Sequence, residues 1–332
     1  MNRPPLNPTS LYRRIPLAPH QMRDRRTRTD DAIILAHLGV PQLDRDAWML
    51  SIDGLIERPF TLRFADLAQY PKVLLPSVHQ CAGNPLEPFA PSQRVCNVVW
   101  GGVRLTDVLA ACRPRAQARY LWSYGADYGT FDGVAIDSYV KDLPLERAQA
   151  DVLIAYELNG APLPPANGFP ARLVVPGFYG TNSVKWLTRM TLADRRADGP
   201  FTTRWYNDPV IDAAGQPDGR TTPVWEIAPQ SIIVSPAPDA LLGPSAETEI
   251  WGWAWGDTGI ASVEISLDNA ATWTAAAIEP PQGREWQRFN LAWRPGATGQ
   301  ATLCARATSR SGVRQPLAGR RNAVHRVAVT IA

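Results

Sequence analysis

Ser77-Val78-His79-Gln80-Cys81-Ala82-Gly83-Asn84 sets one cysteine in an Ala-Gly-Asn turn, directly after an apolar run formed by Val73, Leu74, Leu75 and Val78. The run predicts a strand and the turn predicts its end. A thiolate held on such a turn has a fixed direction, as a metal ligand or nucleophile requires. A lone cysteine is also commonly a small buried hydrophobe, so the residue type leaves both readings open. The other three cysteines take the second reading. Cys96 and Cys304 lie in apolar strand patterns, and Cys112 ends a helical one. No Cys-x-x-Cys pair occurs, which argues against a zinc ribbon or a haem attachment motif, and four cysteines are too few to staple a chain of 332 residues.

That length is enough for two domains. With 45 % apolar residues, sizeable cores can form, and a net charge of +3 on 34 basic and 31 acidic residues gives no basic face for nucleic acid. No apolar run reaches the roughly 18–20 residues of a membrane span. Arg13-Arg14 is followed by no apolar stretch, so no secretory or twin-arginine signal is visible. As it stands the chain reads as cytoplasmic, or periplasmic if a signal has been removed.

Residues 1–30 are polar, rich in Pro and Arg and without periodicity, and predict an extended arm. A first domain over 31–228 mixes short strands (48–52, 152–157, 172–175) with short helices (64–70 and 106–112, the latter with Thr106 as N-cap). Its last part, 197–228, is turn-rich and reads as a packed linker. The irregular interleaving predicts a mixed α+β fold and not a doubly wound sheet. Neither Gly-x-Gly-x-x-Gly nor a Walker loop is present, so nucleotide binding has little support. Over 229–332 the pattern changes to period two: Trp251, Trp253 and Trp255, then Val263, Ile265 and Leu267, then Phe289, Leu291 and Trp293, then Val327, Val329 and Ile331. Turn signals at Asp268-Asn269, Pro295-Gly296 and Ser311-Gly312 separate these runs, which predicts an antiparallel β-sandwich. The crowded tryptophans, with Trp273 and Trp286, predict an aromatic core for it.

Read together, these segments resemble the sulfite oxidase family. The loop at Cys81 resembles the family's molybdenum loop, usually Gln-Cys-Ala-Gly-Asn-Arg-Arg. His37-Leu38-Gly39-Val40-Pro41 with Trp48 and Ile52-Asp53-Gly54-Leu55 is similar to its opening segment. Trp100 to Leu109 is similar to its "W-x-G-V-x-L-x-D-V-L" helix entry. Gly168-Phe169-Pro170-Ala171-Arg172-Leu173-Val174-Val175-Pro176-Gly177, leading through Gly180 to Ser183-Val184-Lys185-Trp186-Leu187, is the longest match. The second domain is similar to the family's immunoglobulin-like dimerisation domain at Trp253-Ala254-Trp255-Gly256 and Thr272-Trp273. The resemblance implies a sulfite-oxidase-type mixed domain followed by an all-β sandwich, and a molybdenum–molybdopterin cofactor with Cys81 as the metal ligand. It further implies a small-molecule substrate, a homodimer, and an external electron carrier such as a c-type cytochrome, since no cytochrome b5 module is visible.

The resemblance also places the cofactor residues. A pterin phosphate would be met by Arg172 and Lys185, with Ser183, Val184 and the backbone after Gly180 beside them; alternatively both cations are solvated strand-end charges. His37 falls where a histidine contacts the pterin, or caps the strand before Val40. Asp127 falls where the family has a pterin-binding aspartate, or is a turn residue. Tyr139 falls on the family's active-site tyrosine, which can donate to an oxo group, or packs. The departures concern substrate. Pro85 and Leu86 stand where arginines follow the loop, Leu35 and Ala36 replace an arginine and an asparagine before His37, Asn167 replaces a pocket histidine, and no basic residue lies between Trp255 and Val263. Removing one charged partner from a buried anion typically costs about 2–5 kcal/mol. The expectation is an oxygen-atom-transfer oxidoreductase whose substrate is not typical sulfite, with Arg94 and Arg104 as possible substitutes. The alternatives are reduction of an S-oxide or N-oxide at the same centre, a cofactor-binding protein without turnover, and a structural sandwich protein with a degenerate first domain.

Overall fold

The computed structural model describes residues 3–14, 17–84, 94–318 and 321–332. Pro85 and Leu86 lie outside the described residues. The chain forms two compact units. One comprises residues 1–14, 34–75 and 99–225; the other comprises 15–33, 76–98 and 226–332.

The first unit is built around a five-stranded sheet in the order Val140–Pro144, Tyr120–Gly125, Leu187–Ala193, Met49–Gly54, Phe60–Arg63. All its pairs are antiparallel except that between Leu187–Ala193 and Met49–Gly54. The alternation along Tyr120–Gly125 turns Leu121 and Ser123 inward. Leu50, Ile52, Leu121, Leu143, Met190 and Leu192 then join Leu105, Val108 and Leu109 of the Leu105–Cys112 helix in one core. That helix starts earlier than capping by Thr106 would require. Its N-cap is Arg104, because the chain passes straight out of the strand Val95–Arg104 and the Leu105 N–H donates to the Val152 carbonyl (2.9 Å). The stretch Phe64–Gln69 is a 3-10 helix. A second sheet orders Ala161–Pro162, Leu153–Leu158, Val95–Arg104 and Lys72–Gln80, and Leu153–Leu158 also pairs with Arg172–Val174.

The N-terminal arm is extended, and it is also paired: Tyr12–Arg14 forms antiparallel bridges with Ile34–Ala36. The turn-rich stretch after Arg196 is structured too. Pro200–Thr203 is a helical turn, Asn207–Ile211 pairs with Pro217–Pro223, and Phe201 is buried in the first unit's core.

In the second unit, one sheet orders Gln230–Ser235, Thr248–Trp255, Gln287–Trp293 and Ala277–Ile278. The other orders Ala240–Leu242, Arg326–Ile331, Gly299–Ser309, Ile260–Ser266 and Thr274–Ala275. Their facing side chains, including Ile250, Ala254, Ile265, Phe289, Leu303 and Val329, form an aliphatic core with one ring. The expected tryptophan core is therefore corrected. Trp253 and Trp255 stand on the opposite face of their strand from Ile250 and Ala254. There Trp253 stacks on Trp286 (centroids 5.1 Å) and donates to the Met22 carbonyl (2.7 Å), while Trp255 donates to Gln80 Oε1 (2.7 Å). Period two shows that the tryptophans share a face, but both faces of this strand are buried, so alternation could not say which face held the core.

Candidate active site

The strand Lys72–Gln80 ends at Cys81, in the second unit. The turn is closed by backbone: Cys81 N–H donates to the Arg94 carbonyl (2.9 Å) and Asn84 N–H to the Cys81 carbonyl (3.1 Å). Gln80 is fully buried and locks the turn in place. Its amide donates to the Asn84 carbonyl (2.9 Å) and to Gln230 Oε1 (2.5 Å), and its oxygen takes the Trp255 indole N–H. The Cys81 thiol is buried, and it accepts the Gly83 N–H at 3.4 Å. Burial raises its pKa above the ordinary value; the Gly83 N–H and the charges of Arg94 and Arg321 pull the other way. Arg94 donates to the Gly83 carbonyl (3.0 Å), and Arg321 donates to the Ala82 carbonyl. Two guanidinium groups thus flank the thiol and offset part of the effect of burial. Arg104, the other expected substitute, is exposed at the helix N-cap. Arg321 was not anticipated, because nothing within its own stretch of sequence links it to Ala82, 239 residues earlier in the chain.

The remaining expected residues lie in the first unit, and most of them meet. Arg172 is 3 % exposed, which excludes a solvated strand-end charge. It donates to the carbonyls of Asn167 (2.9 Å), Ser183 (2.9 Å) and Leu173 (3.3 Å) and stacks over Trp100 at 4.9 Å. Lys185 is tied to the carbonyls of Leu35 (2.9 Å) and Ala166 (3.2 Å), and its ammonium lies 4.3 Å from the Trp186 ring centroid. Burial and the neighbouring Arg172 push the Lys185 pKa down, and Asp127 opposes them. Asp127 is buried and not a surface turn residue; burial pushes its carboxyl up, against the pull of Lys185. It has room because residue 125 is glycine: a Cβ there would fall 2.4 Å from Asp127 Oδ1 and 2.8 Å from the Lys185 carbonyl. Gly168, at φ +111°, ends the 3-10 turn Pro165–Asn167 whose carbonyls receive Arg172 and Lys185.

Ser183 and Val184 serve mainly as scaffold. Ser183 Oγ accepts the Val175 N–H (3.0 Å), and the Ser183 N–H is used within its own turn by Gly180 (3.1 Å). The Val184 side chain is in the core, and its carbonyl accepts the Leu173 N–H (2.8 Å). Tyr139 shares its hydroxyl with Thr181, 2.8 Å from the carbonyl and 2.7 Å from Oγ1. Its ring lies 6.0 Å from that of His37 and nearly parallel to it. His37 is buried, and its Nε2 is 2.7 Å from the Tyr206 hydroxyl. Burial, with Lys185 adding to it, lowers the His37 pKa to about 4, so the ring is neutral at pH 7.

These residues fit a phosphate-bearing, hydrogen-bonding cofactor. The group sets the buried Arg172 and the half-buried Lys185 beside the Asp127 carboxyl, and an excess of basic groups in such a place suits an anion. The side-chain oxygens of Asn167 and Asn182 are buried acceptors with no hydrogen-bond partner among the described residues, as donors on a bound group would require. Among the described residues no cluster of three or more His, Cys, Asp or Glu could hold a metal ion by itself.

Comparison with known proteins agrees. Residues 37–201 match the oxidoreductase molybdopterin binding domain, and residues 221–330 match the Mo-co oxidoreductase dimerisation domain. Sulfite oxidase of Gallus gallus is 32 % identical over 276 residues, covering 75 % of this chain and 59 % of that protein. The NADPH nitrate reductase of Aspergillus niger is 29 % identical over 287 residues, 74 % of this chain and 32 % of that protein. The crystal structure of the sulfane dehydrogenase SoxCD from Paracoccus pantotrophus superposes with a TM-score of 0.80 at 26 % identity, covering 98 % of this chain and 92 % of that one. The chain belongs to the sulfite oxidase family of molybdopterin-dependent oxidoreductases. It spans 59 % of the Gallus gallus sulfite oxidase and 50 % of the human one.

Proposed function

We propose that the chain is a molybdenum-cofactor oxidoreductase that adds oxygen to reduced sulfur of the sulfane or persulfide type, with Cys81 as the protein ligand to the metal. When bound, the cofactor supplies a two-electron redox centre that exchanges an oxygen atom with the substrate. The protein's own residues hold and tune it. Arg172 and Lys185 would meet the phosphate with charge, His37, Asp127 and Asn167 would offer hydrogen bonds, Ser183 and Val184 brace the strand beside them, and the Tyr139 hydroxyl, which donates to the Thr181 carbonyl here, would have to turn from it to donate a proton to the centre. Per oxygen the balance is R–S⁻ + H2O → R–SO⁻ + 2 H⁺ + 2 e⁻. The electrons leave to an external one-electron carrier, for which a c-type cytochrome is suitable.

The observation that carries the substrate class is the distribution of charge. By the resemblance, Leu35 stands where a sulfite site carries an arginine, Ala36 where it carries an asparagine and Asn167 where it carries a histidine, and Lys185 and Arg172 are bound to carbonyls. The arginines left near Cys81 also hold carbonyls, those of Gly83 and Ala82. Such a setting suits a monoanion better than the sulfite dianion. The likeness to a sulfane dehydrogenase over almost the whole of both chains supports the same choice. The matched dimerisation domain supports a homodimer.

The test is ferricyanide reduction by molybdenum-replete protein, with sulfite, thiosulfate and a cysteine persulfide compared at equal concentration. Turnover on a sulfane substrate with a lower kcat/KM on sulfite is expected. Preference for sulfite overturns the substrate assignment. Loaded metal that is inert to all three but reoxidised by a sulfoxide favours the reductase reading.

A further inference from the structure

Tyr206 lies in the stretch after Arg196 that the sequence suggests is only linker, yet among the described residues its hydroxyl is the one hydrogen-bond partner of the His37 ring. We propose that Tyr206 is a positioning residue: its O–H donates to His37 Nε2, so the imidazole carries its proton on Nδ1 and presents that N–H to the bound molybdopterin.

The direction of the bond follows from the chemistry of the two groups. A neutral imidazole has one N–H and one bare nitrogen. The bare nitrogen is a far better acceptor than a phenol oxygen, and a phenol O–H is a stronger donor than an imidazole N–H, so O–H···N is the favoured arrangement. At 2.7 Å the pair is well within hydrogen-bond range. The ring is neutral because it is buried and because Lys185 repels a second proton. The ring is packed against aromatic neighbours in its present orientation. Phe131 meets it edge-on at 4.8 Å, Phe201 lies 5.2 Å away, and Tyr139 stacks at 6.0 Å. His37 Nδ1 makes no hydrogen bond among the described residues, so a fixed donor is left for something that binds.

The segment that carries Tyr206 is itself anchored. Lys141 is 1 % exposed and donates to the Phe201 carbonyl (2.9 Å), and its ammonium lies 5.6 Å from the Tyr206 ring centroid. Next to it, Asp142 is buried and forms a bidentate pair with Arg196 (2.9 and 3.0 Å). A buried lysine is costly unless its donors are used. Here it fixes the backbone that delivers both the ring beside His37 and the hydroxyl that sets its tautomer. Outer hydrogen bonds of this kind hold metal-ligating histidines in place elsewhere, and their loss weakens binding by about 10- to 100-fold.

The inference rests on the reading that this group binds molybdopterin, and the test separates the two. In protein labelled with 15N-histidine and loaded with cofactor, the His37 signal, assigned by its loss in His37→Asn, should show Nδ1 protonated through neutral pH. Nε2 protonation overturns the proposal with no variant needed. In Tyr206→Phe the ring should shift toward the Nε2-protonated form, with cofactor release about tenfold faster. Asparagine places its amide N–H near the Nδ1 position and glutamine near Nε2. His37→Asn should therefore retain more molybdopterin than His37→Gln, and adding Tyr206→Phe to His37→Asn should cost little more. Equal retention by both His37 variants and the wild type, with Nδ1 protonated, overturns the link to the cofactor. Wild-type protein that takes up no molybdenum when cofactor is supplied fails the functional reading instead.

Discussion

Cys81 and the Arg172–Lys185–Asp127 group are held by opposite means. The cysteine sits on a turn closed by its own backbone and pinned by the buried Gln80, whose partners Gln230 and Trp255, like Arg321 on the Ala82 carbonyl, come from distant parts of the chain. The other group is a set of charged side chains, Arg172 and Lys185 from neighbouring stretches and Asp127 from another, with the donors of the two cations satisfied by carbonyls and the carboxyl set against Lys185. A turn can place a metal ligand with little stored cost. A buried cationic group is stable only when its donors are satisfied, and its excess charge becomes useful when an anion binds.

The first way to break this contrast is Cys81→Ser. The sulfur takes part in the turn only as an acceptor, from the Gly83 N–H and from Arg94, a role the serine oxygen can fill, so the fold should survive, while turnover falls by more than the roughly 10- to 100-fold seen when a hydrogen bond supporting a metal ligand is removed. Thermal melting and ferricyanide reduction on the same sample check both halves. Arg172→Met comes next. It strands the Asn167 and Ser183 carbonyls and removes one of the two cations, so a loss of about 3–5 kcal/mol in denaturant unfolding is expected, together with loss of cofactor. A variant that folds normally and keeps its cofactor would show that the charge group is not what binds it.

His37 titrates near pH 4 when folded and near 6.5 when unfolded, so the unfolded chain binds the extra proton between those values. Stability is complete above about pH 6.5 and falls as pH drops toward 4, by up to about 3 kcal/mol. His325, buried in the second unit and also lowered to about 4, acts in the same sense. Urea midpoints at pH 7 and pH 5, compared with those of His37→Asn and His325→Asn, assign the slope to each unit. An unchanged slope in both variants would contradict the buried neutral state. The smallest effect expected is that of Gln80→Leu, about 1–3 kcal/mol from unpartnered groups on Trp255, Gln230 and Asn84, with Cys81 less well held.

Much of this was readable in the chain. Cys81 announces itself in eight consecutive residues, and the change from irregular to period-two patterning marks the sandwich. Resemblance to a family singles out Arg172, Lys185 and Asp127, because residue type alone does not separate a buried strand-end arginine from a solvated one. The tryptophan face was misassigned because alternation is silent when both faces of a strand are covered. Arg321 and Tyr206 escaped notice altogether. Each acts across a large sequence separation, Arg321 on a backbone carbonyl and Tyr206 on a ring nitrogen, and neither interaction leaves a local pattern.

Molybdenum K-edge absorption on cofactor-loaded protein, wild type beside Cys81→Ser, shows whether the Cys81 sulfur binds the metal. The account predicts that the variant keeps its metal and loses one sulfur from the metal's nearest neighbours. An identical sulfur shell in the two proteins would contradict Cys81 as the ligand and, with it, the functional reading of the turn.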